Sequence, residues 1–446
     1  MNPSRRDPFG KSLEAKRHFI NGKTIIGIDP AKKKHQAFII DSIGVPIGST
    51  FKFSNSFNGF HQELFNKLNI YIHDLSPANV VFAVEISINL WQKLCCFLCN
   101  KGFTVLMVSP LFTRHERPKI NNNFSRTDPK DALAVANCAR QGYFNFYRLY
   151  PPDQNAMHRL SITYDKLKEH MTQTKQRIRS QVELIFPEFM NALDIDTDTA
   201  RYLLSKYLTP NDFLNMNVFL EAPEVMKVSQ RQHGESTLKA LKEAAKQTIG
   251  ITLSNEEVIS ERITLNCWLG EYVLLKEQIN YLLDELIALA EQTPYFSIIS
   301  SLKGISDITA ARFIAELRDL SYFDHYKKIE AISGLNLKLS QSGQYTGYRR
   351  ITHIGNHRLR AIIYCMAEET KNHIPKVRIR YLKRQIKQPR YRKNVIASAS
   401  NLLKLIVALV KEEHKYQYKE EKQNELLELE KKYKEFKEKK KYKKSA

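Results

Sequence analysis

Residues 24–41 read TIIGIDPAKKKHQAFIID. Ile25, Ile26 and Ile28 form an apolar, β-branched run that stops at Asp29, a Lys-rich turn follows, and residues 35–41 read as a second strand. The stretch is a β-hairpin whose first strand ends in a lone carboxylate. A carboxylate in that place faces solvent at a sheet edge and can hold a metal ion. Aspartate is also common wherever strands end, so a plain turn role stays open beside the metal role.

Working outward, residues 47–53 can form a third strand. Residues 57–71 carry Phe57, Phe60, Leu64, Phe65 and Leu68 at helical spacing. Residues 79–85, NVVFAVE, are almost wholly apolar, as expected of a strand buried on both faces, and they too end in a carboxylate, Glu85. A helix is expected over 90–100 and a fifth strand over 104–108, stopped by Ser109-Pro110. An antiparallel hairpin joined to parallel strands through helices is the pattern of the α/β ribonuclease-H-like fold. In that topology the first and fourth strands are neighbours, so Asp29 and Glu85 are expected to lie close together.

The next segment, 111–125, is basic and polar in its second part and reads as a mobile connection that can touch nucleic acid. RTDPKDALAVA follows at 126–136. Pro129 suits the first turn of a helix, Asp128 its N-cap, and Asp131 the positive end of the helix dipole. Capping alone accounts for both aspartates. The same spacing also puts both carboxylates on one side of the helix start, aimed at one point. Phosphoryl transfer by two Mg²⁺ ions (or Mn²⁺) needs several hard oxygen ligands around ions roughly 3.5–4 Å apart. Asp29, Glu85, Asp128 and Asp131 can supply them.

Composition agrees with such chemistry. The 446 residues carry 69 Lys+Arg against 47 Asp+Glu, a formal net charge of +22. That balance favours a polyanionic partner, nucleic acid first, although a solvated Lys-rich face has the same signature. Cys95, Cys96, Cys99, Cys138, Cys267 and Cys365 form no ligand pairs, so zinc is not expected and a reducing cytoplasm is. Residues 1–23 are polar and basic without the apolar centre of a signal peptide, and read as a disordered arm. The longest apolar run, 402–410, is broken by Lys404 and is too short to span a bilayer, so no membrane is expected.

Beyond residue 150 the chain reads as helical. Residues 157–184 and 256–290 are long and amphipathic, fitting an antiparallel coiled coil or a plain bundle over 151–294. Residues 295–375 form a compact segment, in which 301–317 reads as helix, tight turn at Gly304, then helix, resembling a helix-hairpin-helix. Arg349, Arg350, His353, Asn356, Arg358 and Arg360 offer phosphate contacts. Residues 376–446 read as a helical basic tail.

At this point IIGIDPAKKKH, VEISINLWQKLCCFLCNKGFTVLMVSP and RTDPKDALAVA resemble the DEDD transposases of bacterial insertion sequences, which are related to pilin-gene invertases. SLKGISDITAARFIAELRD, SGLNLKLSQSG and RITHIGNHRLRAIIYCMA resemble their C-terminal transposase domain. The resemblance spans about residues 24–370. It implies a RuvC-like catalytic domain over 24–150, a C-terminal transposase domain over 295–375, and recombination of donor and target DNA. It further implies guidance by a bridge RNA and a homo-oligomer in which the two domains meet across protomers. It also implies a serine that becomes covalently linked to DNA, matched by Ser342, with Ser340 as the fallback. Pro30, Ile88 and the turn Lys303-Gly304-Ile305-Ser306 depart from the family pattern. Three alternatives stay open: a site-specific invertase, a Holliday-junction-type nuclease needing only the four carboxylates, and a decayed nucleic-acid-binding protein.

Overall fold

The computed structural model describes residues 13–87, 89–121, 128–338, 341–342, 345–346, 350–418 and 423–445. The chain divides into two compact units, Met1–Pro151 and Pro152–Ala446.

The first unit is built on a six-stranded sheet, with α1 (Leu13–Ile20) preceding it. The strands are β1 (Thr24–Asp29), β2 (Lys34–Ile40), β3 (Phe51–Ser54), β4 (Val80–Glu85), β5 (Thr104–Val108) and β6 (Asn145–Phe146). They lie in the order β3-β2-β1-β4-β5-β6. β1 pairs antiparallel with β2 and parallel with β4, and β4 pairs parallel with β5. β4 is buried along its whole length, as its unbroken apolar run requires. One sheet face is covered by a π-helical turn (Gly59–Glu63), α2 (Leu64–Tyr71) and α3 (Gln92–Asn100), through Phe60, Leu64, Leu68, Leu94, Cys95 and Leu98. The other face carries α5 (Asp128–Arg140), which packs Val135, Ala136 and Ala139 against Ile25, Ile40, Val81 and Ala83.

Gly27 sets how close α5 comes. A Cβ at residue 27 would lie 2.3 Å from the Ala132 carbonyl oxygen and 2.6 Å from the Ala136 nitrogen, so the helix backbone rests on a strand with no side chain there.

Two segments differ from the sequence expectation. Part of the N-terminal arm is α1, whose Ile20 is buried in the α5-side core and whose Lys16 Nζ donates to the Phe144 carbonyl. Part of the expected mobile connection is a helix, α4 (Pro110–Asn121). Ser109-Pro110, which ends β5, is also a helix-start signal, because Pro fits the first helical position.

The second unit opens with α6 (Pro152–Ile185) and continues through α7 (Phe189–Ala192), α8 (Asp198–Lys206), α9 (Pro210–Asn215), α10 (Val218–Val228), α11 (Glu235–Lys246) and α12 (Asn255–Glu291). Gln181 bonds Glu261 and Thr174 bonds Glu271, so α6 and α12 run antiparallel. The short helices close over one end of the pair around Phe186, Phe189 and Phe213.

A second core gathers α13 (Phe296–Ser300), α14 (Asp307–Leu317), α15 (Tyr326–Ser333), α16 (His357–Thr370), α17 (Pro375–Lys387) and α18 (Tyr391–Glu412). Between α13 and α14 the chain turns at Gly304, with φ +98°, and Ser306 caps α14 by accepting from the Thr309 amide. Between α15 and α16 lie β7 (Leu337–Lys338), β8 (Gln341–Ser342), β9 (Tyr345–Thr346) and β10 (Arg350–Ile351). α17 and α18 are core elements where a tail was expected: Val377, Tyr381, Leu382, Val395, Leu402, Leu403 and Ile406 all belong to this core. α18 has the length and apolarity to cross a membrane by composition, and these core residues account for its apolar face. α19 (Gln423–Ser445) completes the unit.

Candidate functional site

The site is a polar row across the ends of four strands. Asp29 pairs in register with Gln36, and Gln36 with Lys52. On its other side Asp29 lies one residue beyond the Ile28–Val84 pair, beside Glu85. Paired residues share a face, and this is the face α5 covers. The close approach at Gly27 therefore brings the first turn of α5, with Asp128 and Asp131, over the row.

Electrostatics record the convergence. The Asp29 carboxyl is pushed up from 3.8 to about 7, by burial first and then by the negative charges of Glu85, Asp131 and Asp128, with Arg117 opposing. Three acids from two other elements thus act on one carboxylate, and the structure brings all four sequence-predicted acids together.

Two residues of α4 hold the group. Thr113 Oγ1, fully buried, donates to Glu85 Oε1 at 2.8 Å. Arg117, one helical turn on, pairs with Asp131 and reaches Glu85 Oε2 at 3.5 Å. Asp128 is the most exposed of the four and pairs with Lys52 at 2.9 Å. Reading the segment as a loop hid Thr113 and Arg117. Their spacing of four residues, just after a Ser-Pro helix start, was the available signal.

Gln36 was also missed. Its Nε2 donates to Thr50 Oγ1, which itself donates to the Ala37 carbonyl. That chain fixes the amide orientation and leaves Gln36 Oε1 buried without a partner, on the face of the row.

A divalent cation suits this donor set. Four carboxylates and an orphaned amide oxygen are hard ligands, and a cation would offset both the burial and the repulsion that raise Asp29. The group is gathered but not closed: among the described residues no three His, Cys, Asp or Glu side chains are close enough to hold an ion as they stand. The cysteines are free. Burial raises the Cys95 and Cys99 thiols, the latter to about 11, and Cys138 to about 12, so none of these three offers a ready thiolate.

The second unit holds the other expected residues. Ser342 lies in β8 and pairs with Tyr345 of β9; Ser340 and Arg349 lie outside the described residues. Arg350 pairs with Lys338 between β10 and β7. His353 is exposed with φ +57°. Asn356 caps α16 by accepting from the amides of Arg358 and Leu359, and its amide nitrogen donates to Glu316. Arg358 donates twice to Glu316, at 2.9 and 3.3 Å, and Arg360 donates to the Ser333 and His353 carbonyls. Donors of Asn356, Arg358 and Arg360 are therefore engaged inside the fold.

Comparison with known proteins agrees with this layout. Residues 26–187 match a family model described as transposase, of the DEDD type, and residues 296–382 match one described as transposase IS116/IS110/IS902 family. The chain is 24% identical over 369 residues to the insertion element IS116 uncharacterized 44.8 kDa protein of Streptomyces clavuligerus, covering 81% of this chain and 88% of that protein. The first match spans β1, β4 and α5, which carry the four acids, and the second spans α13 to α17. On these matches the chain belongs to the IS110-family DEDD transposases, enzymes that cleave DNA and transfer its strands.

Proposed function

We propose that this transposase is a metal-dependent DNA recombinase in which Asp29, Glu85, Asp128 and Asp131 hold Mg²⁺ and Ser342 is the nucleophile. The observation that carries the metal reading is the convergence of Glu85, Asp131 and Asp128 on Asp29, whose carboxyl is raised by burial first and then by these three charges. Divalent ions supply charge stabilisation for the oxygens entering and leaving phosphorus. The chain's own residues do the holding: Thr113 and Arg117 orient Glu85 and Asp131, and Lys52 restrains Asp128.

In the covalent step the Ser342 hydroxyl oxygen bonds to a backbone phosphorus and gives up its proton. The bond from that phosphorus to one flanking sugar oxygen breaks, and the oxygen leaves as a hydroxyl. The resulting serine–phosphate diester conserves the linkage for rejoining to a second strand. The resemblance supports this role for Ser342. A serine is a weak nucleophile until activated, and no His/Asp pair adjoins it in sequence. Bridge RNA as guide and a homo-oligomer as the working form belong to the same reading.

The test is denaturing electrophoresis of labelled DNA after incubation with protein, Mg²⁺ and candidate guide RNA. The expected result is a protein–DNA adduct in the unsubstituted chain and none in Ser342→Ala. An adduct persisting in Ser342→Ala moves the nucleophile to another residue, Ser340 first. Metal-dependent cleavage with no adduct in any variant favours the nuclease alternative, with water attacking.

A further inference from the structure

α17 and α18 enclose a groove of about 610 Å³ that the catalytic reading does not use. Lys376, Arg380, Lys383 and Arg384 of α17 and Lys404 of α18 line it over an apolar floor of Ile379, Leu405 and Ala408. α17 divides its faces cleanly: Val377, Tyr381 and Leu382 enter the core, and the basic residues turn outward.

The cations are held by neutral groups. Arg380 Nε donates to the Ala397 carbonyl at 2.6 Å and its Nη1 to Asn401 Oδ1 at 3.4 Å. Arg384 Nε donates to Asn394 Oδ1 at 3.3 Å, and Asn394 is itself buried and fixed by donating to Gln385 Oε1 and the Gln388 carbonyl. Lys404 Nζ sits 4.8 Å from the centre of the Tyr326 ring. Neutral acceptors orient a guanidinium without cancelling its charge, so Arg380 and Arg384 are positioned cations whose charge these partners leave intact. Among the described residues the one carboxylate lining it is Glu425, from the first turn of α19, whose Oε1 pairs with Lys383 Nζ at 2.6 Å. Glu430, further along α19, pairs with Arg378 at 3.3 Å.

We propose that this groove binds the phosphate backbone of DNA, and that Glu425 of α19 is an intramolecular occupant which DNA displaces. The proposal rests on the reading of the chain as a DNA-handling enzyme. DNA is favoured as occupant because it is the substrate of a transposase and because charge, not a donor/acceptor code, is what the groove presents. The site lies outside the Arg349–Arg360 run, on α17 and α18 of the same unit.

The test measures binding of a labelled DNA duplex to the full-length chain by fluorescence anisotropy in EDTA, so that failure of metal-dependent cleavage leaves the readout untouched. Arg380→Gln/Arg384→Gln is expected to weaken binding about tenfold or more at moderate salt. It should also reduce the slope of log K against log salt by about 0.9 for each phosphate that the groove no longer neutralises. Glu425→Gln, which keeps the side chain's size and removes its charge, is expected to tighten binding several-fold, and it keeps the test informative should the double variant fail to fold. Unchanged affinity in Glu425→Gln and in a folded double variant overturns the groove. No DNA binding by the unsubstituted chain overturns the DNA-handling reading itself. Preference for an RNA duplex of the same sequence, with the weakening confined to RNA, overturns DNA as the occupant.

Discussion

Two carboxylates, the half-buried Asp29 of the first unit and the buried Glu316 of the second, have opposite fates. Asp29 lies beside Glu85, Asp131 and Asp128, and burial together with their charges pushes its carboxyl up to about 7. Burial would also raise Glu316, but hydrogen bonds from Arg358 and Asn356 outweigh that and hold it below the ordinary range. Glu316 accepts from Ser161 as well, with His158 nearby at 3.9 Å. Every oxygen of Glu316 is matched from within the fold, and it ties α14 to the start of α16 and to α6. Asp29 is left among like charges, a state a fold keeps where a cation or a reaction compensates. The contrast separates an acid satisfied within the fold from one that the proposed metal site calls on.

The largest expected effect is on activity. Asp29→Ala, Glu85→Ala and Asp131→Ala should each reduce DNA strand cleavage by roughly a thousandfold, the loss of several kcal/mol of charge stabilisation, while circular dichroism shows a folded protein. Asp128→Ala should do the same if it is a ligand. Full activity in that variant would reduce Asp128 to helix capping and its pairing with Lys52.

On the other side of the comparison, Glu316→Ala should cost about 3–5 kcal/mol of stability by removing the buried acceptor shared by the half-buried Arg358, Asn356 and Ser161. Chemical denaturation reads this directly. A midpoint within error of the unsubstituted chain would erase the distinction between the two acids.

A third expectation concerns pH. Because the folded state holds the Asp29 proton up to about pH 7 and the unfolded chain releases it near 3.8, the native state binds the extra proton between those values. Asp29 therefore contributes a loss of stability as pH rises from about 4 to about 7, with no further change above. Asp29→Asn should lack this component and be the more stable protein at pH 8 in EDTA. Identical pH profiles for the two proteins in thermal melts would break the account of Asp29. Added Mg²⁺ should restore stability to the unsubstituted chain at pH 8 and not to Asp29→Asn.

The smallest effect belongs to α4. Arg117 opposes the elevation of Asp29, so Arg117→Gln should move the midpoint of that pH component upward by a fraction of a unit. Thr113→Val, which keeps the shape and removes the donor to Glu85, should leave the midpoint near its place and weaken Mg²⁺ binding modestly. Equal shifts from both variants would mean that α4 acts through packing rather than charge.

Much of the first unit was legible in the residues. Period-two and all-apolar runs fixed β1, β2, β4 and β5, the strand over 104–108 to the residue, and the adjacency of β1 and β4 placed Asp29 beside Glu85. Capping chemistry placed the start of α5 at Asp128. These are local properties, set by side-chain pattern and backbone propensity within a few residues. What the sequence alone could not decide was partnership. Nothing near residues 110–121 shows that Thr113 and Arg117 clasp Glu85 and Asp131, because the polar, basic composition that suggested a loop is also the composition of a helix face turned toward acids. Arg358 and Arg360 stood in a basic run that promised phosphate contacts, and only the fold shows Glu316 and the Ser333 carbonyl taking their donors. The same holds for α17, whose basic pattern conceals an apolar face that completes a core. Charge and periodicity are written along the chain, but desolvation, opposite charge and the approach of a backbone to Gly27 act through space, and tertiary structure sets those distances.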